Sequence, residues 1–74
     1  MVIEELENTI RAERARHGLT QEQLADLVGV TRKTINTVEN GRFIPSTLLA
    51  LKLARTLQVP VETLFSLART SRKR

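Results

Sequence analysis

Apolar residues recur at helical spacing along most of this chain, and glycines and prolines interrupt the pattern at short intervals. The three glycines and two prolines divide the chain into five segments of helical length. They are Gly18, Gly29, Gly41, Pro45 and Pro60. Alternation of the strand type is weak, so the pattern predicts an all-α fold. Short helices with tight connections favour a compact five-helix orthogonal bundle over an up-down bundle, whose helices pack along long antiparallel contacts.

The first segment places Ile3, Leu6 and Ile10 three or four residues apart. This spacing predicts a helix that begins near the amino terminus and ends at Gly18. A short strand over residues 1–3, formed between the subunits of a dimer, is the less favoured interpretation.

The last two segments are expected to complete the core. Behind Ser46, which suits an N-cap, one helical face carries Leu48, Leu51, Ala54 and Leu57. Pro60 stands where the fifth helix must start, and the core is closed by Val61, Leu64 and Phe65. Periodicity ends at Ser66. The chain is therefore predicted to form one domain over residues 1–67, followed by a basic, frayed tail over residues 68–74.

The second and third segments are separated by a very tight turn. Thr20 and Thr31 are the expected N-caps of the two helices. Gly29 supplies the positive φ that such a turn requires, and the small Ala25 lets the helices approach. This arrangement is typical of a helix-turn-helix motif, here residues 21–40. A plain helical hairpin would share the same apolar positions.

The outer face of the third helix distinguishes these two interpretations. Successive residues of a helix are rotated by about 100°, so the five polar side chains of the third helix that could contact DNA fall within an arc of about 140°. They are Arg32, Lys33, Asn36, Thr37 and Asn40, and no acid lies among them. Arginine and lysine donate to guanine, asparagine pairs with adenine, and a threonine methyl meets the thymine methyl. A merely solvated face more often mixes glutamate with lysine, so base readout is favoured.

Polar groups at both ends of the motif suit contact with phosphate. Thr20 and Gln21 lie at the first turn of the second helix, where free N–H groups and the helix dipole favour an anion. Asn40 and Arg42 flank Gly41 just beyond the third helix. Contacts of this kind position a protein on DNA without reading its sequence.

Composition excludes several classes of function. A chain of 74 residues buries only about 60% of its unfolded surface, which leaves little room for an enclosed substrate cavity. It has no cysteine and one histidine. We therefore expect no enzyme activity, no cofactor and no metal site. No apolar run approaches the roughly 18 residues of a membrane span, and a cytoplasmic location is expected.

The net charge of +4 says little about DNA binding by itself. Four of the 12 cations follow Phe65 with no acid among them, namely Arg69, Arg72, Lys73 and Arg74. They account for the whole excess, so the inference rests on where charges lie in the folded part.

Two segments carry a resemblance to a known family. LTQEQLADLVGVTRKTINTVENGRFIPS and LALKLARTLQVPVETLF resemble the phage-repressor and Cro type of helix-turn-helix domain, especially its short single-domain regulators. The similar run extends from Ile10 to Phe65. The resemblance implies a lambda-repressor-like fold and a homodimer on a pseudo-palindromic double-stranded DNA site. It also implies that residues 32–39 lie in the major groove.

The resemblance further implies roles for individual positions. It assigns base contacts to Arg32, Lys33, Asn36, Thr37 and, at the groove edge, Gln21. It assigns backbone contacts to the ends and flanks of the motif, at Thr20, Thr31, Thr34, Asn40 and Arg42. The family often ties its first helix to the recognition helix by an Arg–Glu ion pair, and Arg14 and Glu39 match that pair. Both are expected to be structural.

The function implied is a sequence-specific transcriptional regulator that represses by occupying a promoter. One alternative is a DNA-binding antitoxin that also neutralises a toxin. Another is the control protein of a restriction–modification system, which activates as well as represses. Leu27 and Leu49 lie off the main apolar stripes, and Leu49 together with Ile44 is predicted to belong to a dimer surface.

Overall fold

The computed structural model describes residues 2–71 and the side chains of residues 5–68. Its helices are α1 (Ile10–Arg16), α2 (Gln21–Val28), α3 (Arg32–Glu39), α4 (Thr47–Leu57) and α5 (Val61–Leu64). Two strands, β1 (Val2–Asn8) and β2 (Phe65–Ser71), pair antiparallel in a two-stranded sheet. The predicted five-helix bundle is confirmed, and a strand pair is added to it. None of these helices combines the length and the apolar character needed to cross a bilayer.

The predicted helix through Ile3 is wrong. Ile3 lies in β1, and α1 begins only at Ile10. Asn8 explains the boundary, because its Oδ1 accepts from the Ile10 N–H at 3.1 Å while its Nδ2 donates to the Val38 carbonyl at 3.0 Å. One amide thus caps the start of α1 and the end of α3. The alternative strand over residues 1–3 is too short, and β1 pairs within its own chain.

The prediction for the carboxyl terminus is wrong as well. Residues 68–71 are not frayed but form the end of β2, so the boundary at residue 67 falls inside a strand. Residues 72–74 lie outside the described residues. A two-stranded ribbon alone is marginally stable in water. Here its base is anchored, because Phe65 packs against the helical core and the Thr9 N–H donates to the Leu64 carbonyl at 2.9 Å.

A single apolar core lies between the helices. Its buried members are Ile10, Leu24, Ala25, Val28, Ile35, Val38, Leu49, Leu53, Ala54, Leu57 and Leu64. The predicted faces of α2 and α3 agree with this set. In α4 the prediction is confirmed for the buried Ala54 and Leu57. It is wrong for Leu48 and Leu51, which are 65% and 54% exposed, and it missed the buried Leu53. Leu49 is also buried, so it cannot join Ile44 in a dimer surface.

The local signals around the motif are confirmed. Thr20 forms a capping box with Gln23, and the Thr31 hydroxyl accepts from the Thr34 N–H at the start of α3. Gly29 ends α2 in the left-handed region, with φ 78°. A residue with a Cβ is strained at that angle, which explains why glycine stands at the turn.

Candidate nucleic-acid interface

The α2–turn–α3 unit presents one face of α3 to solvent. Leu24 and Val28 of α2 and Ile35 and Val38 of α3 are buried in the same core. Because the apolar side of α3 is fixed inward, the opposite side faces outward. The predicted DNA-binding residues of α3 lie on that outer side.

The first turn of α3 is strongly cationic. Arg32 and Lys33 are exposed, and neither pairs with an acid within the part of the chain that the structure describes. No acid lies in the first turn of α3. The positive end of the helix dipole adds to the two side-chain charges, so this end of α3 attracts anions.

The threonines of the motif use their hydroxyl groups within the protein. The Thr37 hydroxyl donates to the Thr34 carbonyl at 2.9 Å. The Thr31 and Thr34 hydroxyl oxygens lie 3.1 Å apart. The Thr20 oxygen accepts from the Gln23 N–H, which leaves its hydrogen available to another acceptor.

The predicted amide side chains are brought together across the two helices. Asn36 Nδ2 donates to Gln21 Oε1 at 3.4 Å, and Asn40 Nδ2 donates to Asn36 Oδ1 at 3.2 Å. Gln21 Nε2 in turn donates to Glu39 Oε1 at 3.1 Å. Arg42 stands apart from this cluster on the exposed segment after α3.

Glu39 lies at the inner end of the cluster, and its side chain is fully buried. Arg14 forms a bidentate ion pair with it: Nε donates to Oε2 at 2.7 Å and Nη2 donates to Oε1 at 3.4 Å. Arg14 Nη1 also donates to the Leu19 carbonyl at 2.9 Å. The ion pair therefore ties α1, the segment before α2 and the end of α3 together.

The environment of Glu39 sets its protonation. Burial by itself raises the pKa of this carboxyl, but hydrogen bonds from Arg14 and Gln21 and the charges of Arg14 and Arg11 outweigh burial. The pKa of Glu39 consequently lies below its ordinary value of 4.5. Glu39 is an acceptor-only carboxylate at neutral pH.

This pKa predicts a dependence of stability on pH. A lowered folded-state pKa means that Glu39 stabilises the fold at neutral pH and that this contribution is lost as the pH falls from about 5 through the folded pKa. Urea unfolding between pH 7 and pH 3 should show a steeper acid loss for the wild type than for Glu39→Gln. Parallel curves for the two proteins would contradict this assignment. The other carboxyl groups are common to both and cancel in the comparison.

The roles of Asn8, which joins the start of α1 to the end of α3, and of Arg11 were not predicted from the sequence. Asn8 and Thr9 directly before Ile10 are a helix-start signal, but the spacing of the upstream apolar residues masked it. Arg11 precedes Arg14 by three residues on the same face of α1, and its Nε lies 3.6 Å from Glu39 Oε1. That spacing was the available signal for Arg11.

A tight two-helix unit with a cationic, acid-free outer face defines a DNA-binding domain of the helix-turn-helix class. A helix-turn-helix family model matches residues 10–64. The regulator YgzD of Bacillus subtilis is 42% identical over 60 residues, which cover 81% of this chain and 91% of that protein. A regulator of Methanothermobacter thermautotrophicus is 56% identical over 48 residues, covering 65% and 70% of the two chains. Both are helix-turn-helix transcriptional regulators of uncharacterised function.

Solved structures give the same result. The restriction–modification controller protein C.AhdI of Aeromonas hydrophila is 39% identical, with a TM-score of 0.71 over 76% of this chain and 85% of that chain. The clp gene regulator ClgR of Corynebacterium glutamicum is 29% identical, with a TM-score of 0.67 over 70% and 55%. The chain belongs to the helix-turn-helix family of DNA-binding transcriptional regulators, which are not enzymes. The resemblance to the Cro type is confirmed, whereas β1 and β2 lie outside the matched range.

Proposed function

We propose that the protein is a sequence-specific repressor that binds DNA as a homodimer, with α3 of each subunit in the major groove. The observation that supports this most strongly is the separation of charge on α3. Arg32 and Lys33 are exposed at its first turn, whereas its one acid, Glu39, is buried and neutralised by Arg14. A face with this charge favours the phosphate-lined groove of a duplex.

Roles follow from the chemistry of each side chain. Arg32 and Lys33 suit guanine, and Asn36 suits adenine. The Thr37 hydroxyl is occupied by the Thr34 carbonyl, so its methyl group is the better contact, and it suits thymine. Gln21 would stand at the groove edge. The backbone contacts would come from Thr20, Thr31, Thr34, Asn40 and Arg42.

We assign the dimer interface to an apolar surface at the start of α4. It consists of Phe43, Ile44, Leu48 and Leu51, which are 51%, 75%, 65% and 54% exposed. Phe43 and Leu48 line one groove, and Leu48 and Leu51 line the next, so these three side chains are contiguous, and Ile44 directly follows Phe43 in the chain. Clustered exposed apolar residues mark interaction sites. A second copy is the partner that a palindromic site requires, because a two-fold interface uses the same surface twice.

Substitution of Leu48 tests this interface. Leu48→Asp places two buried charges across the symmetry axis and should convert the dimer to a monomer, with about a tenfold or greater loss of affinity for a palindromic duplex. Sedimentation of the wild type and the variant gives the mass directly. Leu27→Asp is the matched control, because Leu27 is also 61% exposed but lies on α2. A monomeric wild type, or a Leu48→Asp protein that stays dimeric, would contradict the assignment.

Selection of duplexes from a random pool at about 0.15 M salt tests the function as a whole. Binding as a homodimer predicts a palindrome whose half-sites lie about 34–36 Å apart, one turn of the duplex. Binding that disappears with added salt and yields no consensus would overturn sequence-specific regulation. Because the proposed ligand is DNA, we place the protein in the cytoplasm.

The likeness to C.AhdI favours a second candidate, the control protein of a restriction–modification system. Such a protein would activate as well as repress. The selected operator, placed before a reporter gene, distinguishes the two roles when the protein is titrated. A simple repressor lowers expression at every dose, whereas a control protein raises expression at low dose and lowers it at high dose.

A further inference from the structure

The amides proposed to contact DNA belong to a ring of four hydrogen bonds that one ion pair closes. Its members are Glu39, Gln21, Asn36, Asn40 and Arg11. Beyond the contacts among the amides, Arg11 Nη2 donates to Asn40 Oδ1 at 3.3 Å and Arg11 Nε lies 3.6 Å from Glu39 Oε1. Two members of the ring, Glu39 and Arg11, are charged, and the three amides lie between them.

Glu39 sets the direction of the ring from one end. A carboxylate only accepts hydrogen bonds, so the end of the Gln21 amide that faces it, 3.1 Å away, must be the NH₂ group. The Gln21 oxygen then points to Asn36, whose nearest group must be its own NH₂. The Asn36 oxygen is left on the side of Asn40.

Arg11 sets the direction from the other end. A guanidinium only donates, so Asn40 must turn its oxygen toward Arg11. The Asn40 NH₂ then faces Asn36 and requires an oxygen there, which is the orientation that Glu39 also imposes. Glu39 and Arg11 thus impose the same orientation on Asn36. Only one arrangement of the three amides satisfies both charged groups.

This arrangement determines which hydrogen-bonding groups of Asn36 remain available to DNA. One N–H remains on its Gln21 side, and one lone pair of Oδ1 remains on its Asn40 side. A bidentate contact with adenine needs one donor for N7 and one acceptor for the N6 amino group. The opposite order of donor and acceptor suits adenine on the other strand.

We propose that Glu39 and Arg11 are positioning residues for base readout: by fixing the direction of the Asn36 amide, they decide which strand must carry adenine at the base pair that Asn36 contacts. This inference rests on the proposed function. Neither residue needs to touch DNA for it. Glu39 is buried, so its influence on the base is transmitted through Gln21.

Duplex selection with two single variants and their double variant tests the inference. Glu39→Gln and Arg11→Gln each replace a group of fixed polarity by an amide that can donate or accept. The matched control is Arg16→Gln, on the same helix but paired with Glu13 outside the ring. Asn36→Ala identifies the base pair concerned, as the one position whose preference it removes.

At that base pair we expect a preference of about tenfold for A·T over T·A in the wild type, the size of one bidentate contact. Each single variant keeps one of the two charges and should keep most of this preference, whereas in the double variant Glu39→Gln, Arg11→Gln it should fall below about threefold, with the other positions unchanged. If variants at Glu39 fold poorly, the amide signals of Arg11→Gln keep the test valid, because the Arg11 side chain is 68% exposed and its loss leaves Glu39 paired with Arg14.

NMR of the free protein separates failure of the inference from failure of the function. The side-chain amide signals of Gln21, Asn36 and Asn40 should exchange with water more slowly than those of the exposed Gln58, and they should shift in Arg11→Gln but not in Arg16→Gln. Solvent-like amides in the wild type would overturn the inference whatever the DNA result. So would a palindromic consensus whose preference at the Asn36 position survives the double variant, and in that case the proposed function stands. A wild type with ordered amides but no consensus would overturn the role in base readout together with the function.

Discussion

Replacing Arg14 by methionine is expected to lower the free energy of unfolding by about 3–5 kcal/mol. The Glu39 side chain is fully buried, and Arg14 neutralises it through a contact of 2.7 Å. Without Arg14, the carboxylate keeps only the Gln21 amide and the solvent-exposed Arg11, whose Nε lies 3.6 Å from Oε1, as partners. An uncompensated buried charge is among the most destabilising single defects in a protein. Urea unfolding at pH 7 measures the effect.

Two further variants define the cause of that loss. Arg16→Met removes an ion pair that lies on the surface, and we expect less than about 1 kcal/mol for it. The double variant Arg14→Met, Glu39→Leu removes both buried charges and should recover most of the stability lost by Arg14→Met alone. A double variant as unstable as the single one would show that packing of the arginine stem, and not the buried charge, is responsible.

Replacing Arg32 by alanine is expected to cost about 2 kcal/mol of binding free energy on the selected duplex, roughly thirtyfold in affinity. Arg32 is exposed at the first turn of α3 and free of acidic partners among the described residues. It is therefore available to the bases at little conformational cost. Fluorescence anisotropy on the selected duplex and on single-base variants of it provides the measurement.

The pattern of loss identifies the type of contact. A base contact predicts a large loss on the selected duplex and a relaxed preference at one base pair. A phosphate contact predicts an equal loss on every duplex and a salt slope that is smaller by about one. Arg16→Ala is the control, because Arg16 is also an exposed cation but lies on α1, away from both α3 and the proposed dimer interface. An equal loss on all sequences would contradict base readout by Arg32.

The motif was predictable from the sequence because its signals are local. The capping threonines Thr20 and Thr31 and the left-handed Gly29 each act within one turn of the chain. The outward and inward faces of α3 follow from helical periodicity alone. For these reasons the residues of α3 predicted to bind DNA lie together on its outward face.

The strand pair was not predictable in the same way. β1 and β2 are joined by pairing between the two ends of the chain, from Val2 opposite Ser71 to Asn8 opposite Phe65. Neither segment shows a clean alternation, and the stabilising partner of each lies outside any local window. In β1 the apolar spacing of Ile3 and Leu6 also imitates a helix.

The face of α4 was ambiguous for another reason. Leucines lie on several sides of this helix, so two overlapping stripes satisfy the helical period. The core takes Leu49 and Leu53, and it leaves Leu48 and Leu51 exposed. Only tertiary packing decides between them. The leucines that the core does not use are those we assign to the dimer interface.

In the proposed complex, two copies of α3 read bases in two successive major grooves. Methylation interference on the selected duplex tests it most directly, because methylation of guanine N7 blocks the major-groove edge. Symmetric readout by two copies of α3 predicts interference in two windows about 34–36 Å apart, each covering the bases of one half-site. Binding that tolerates methylation at every guanine N7, or interference confined to one window, would contradict symmetric readout by α3.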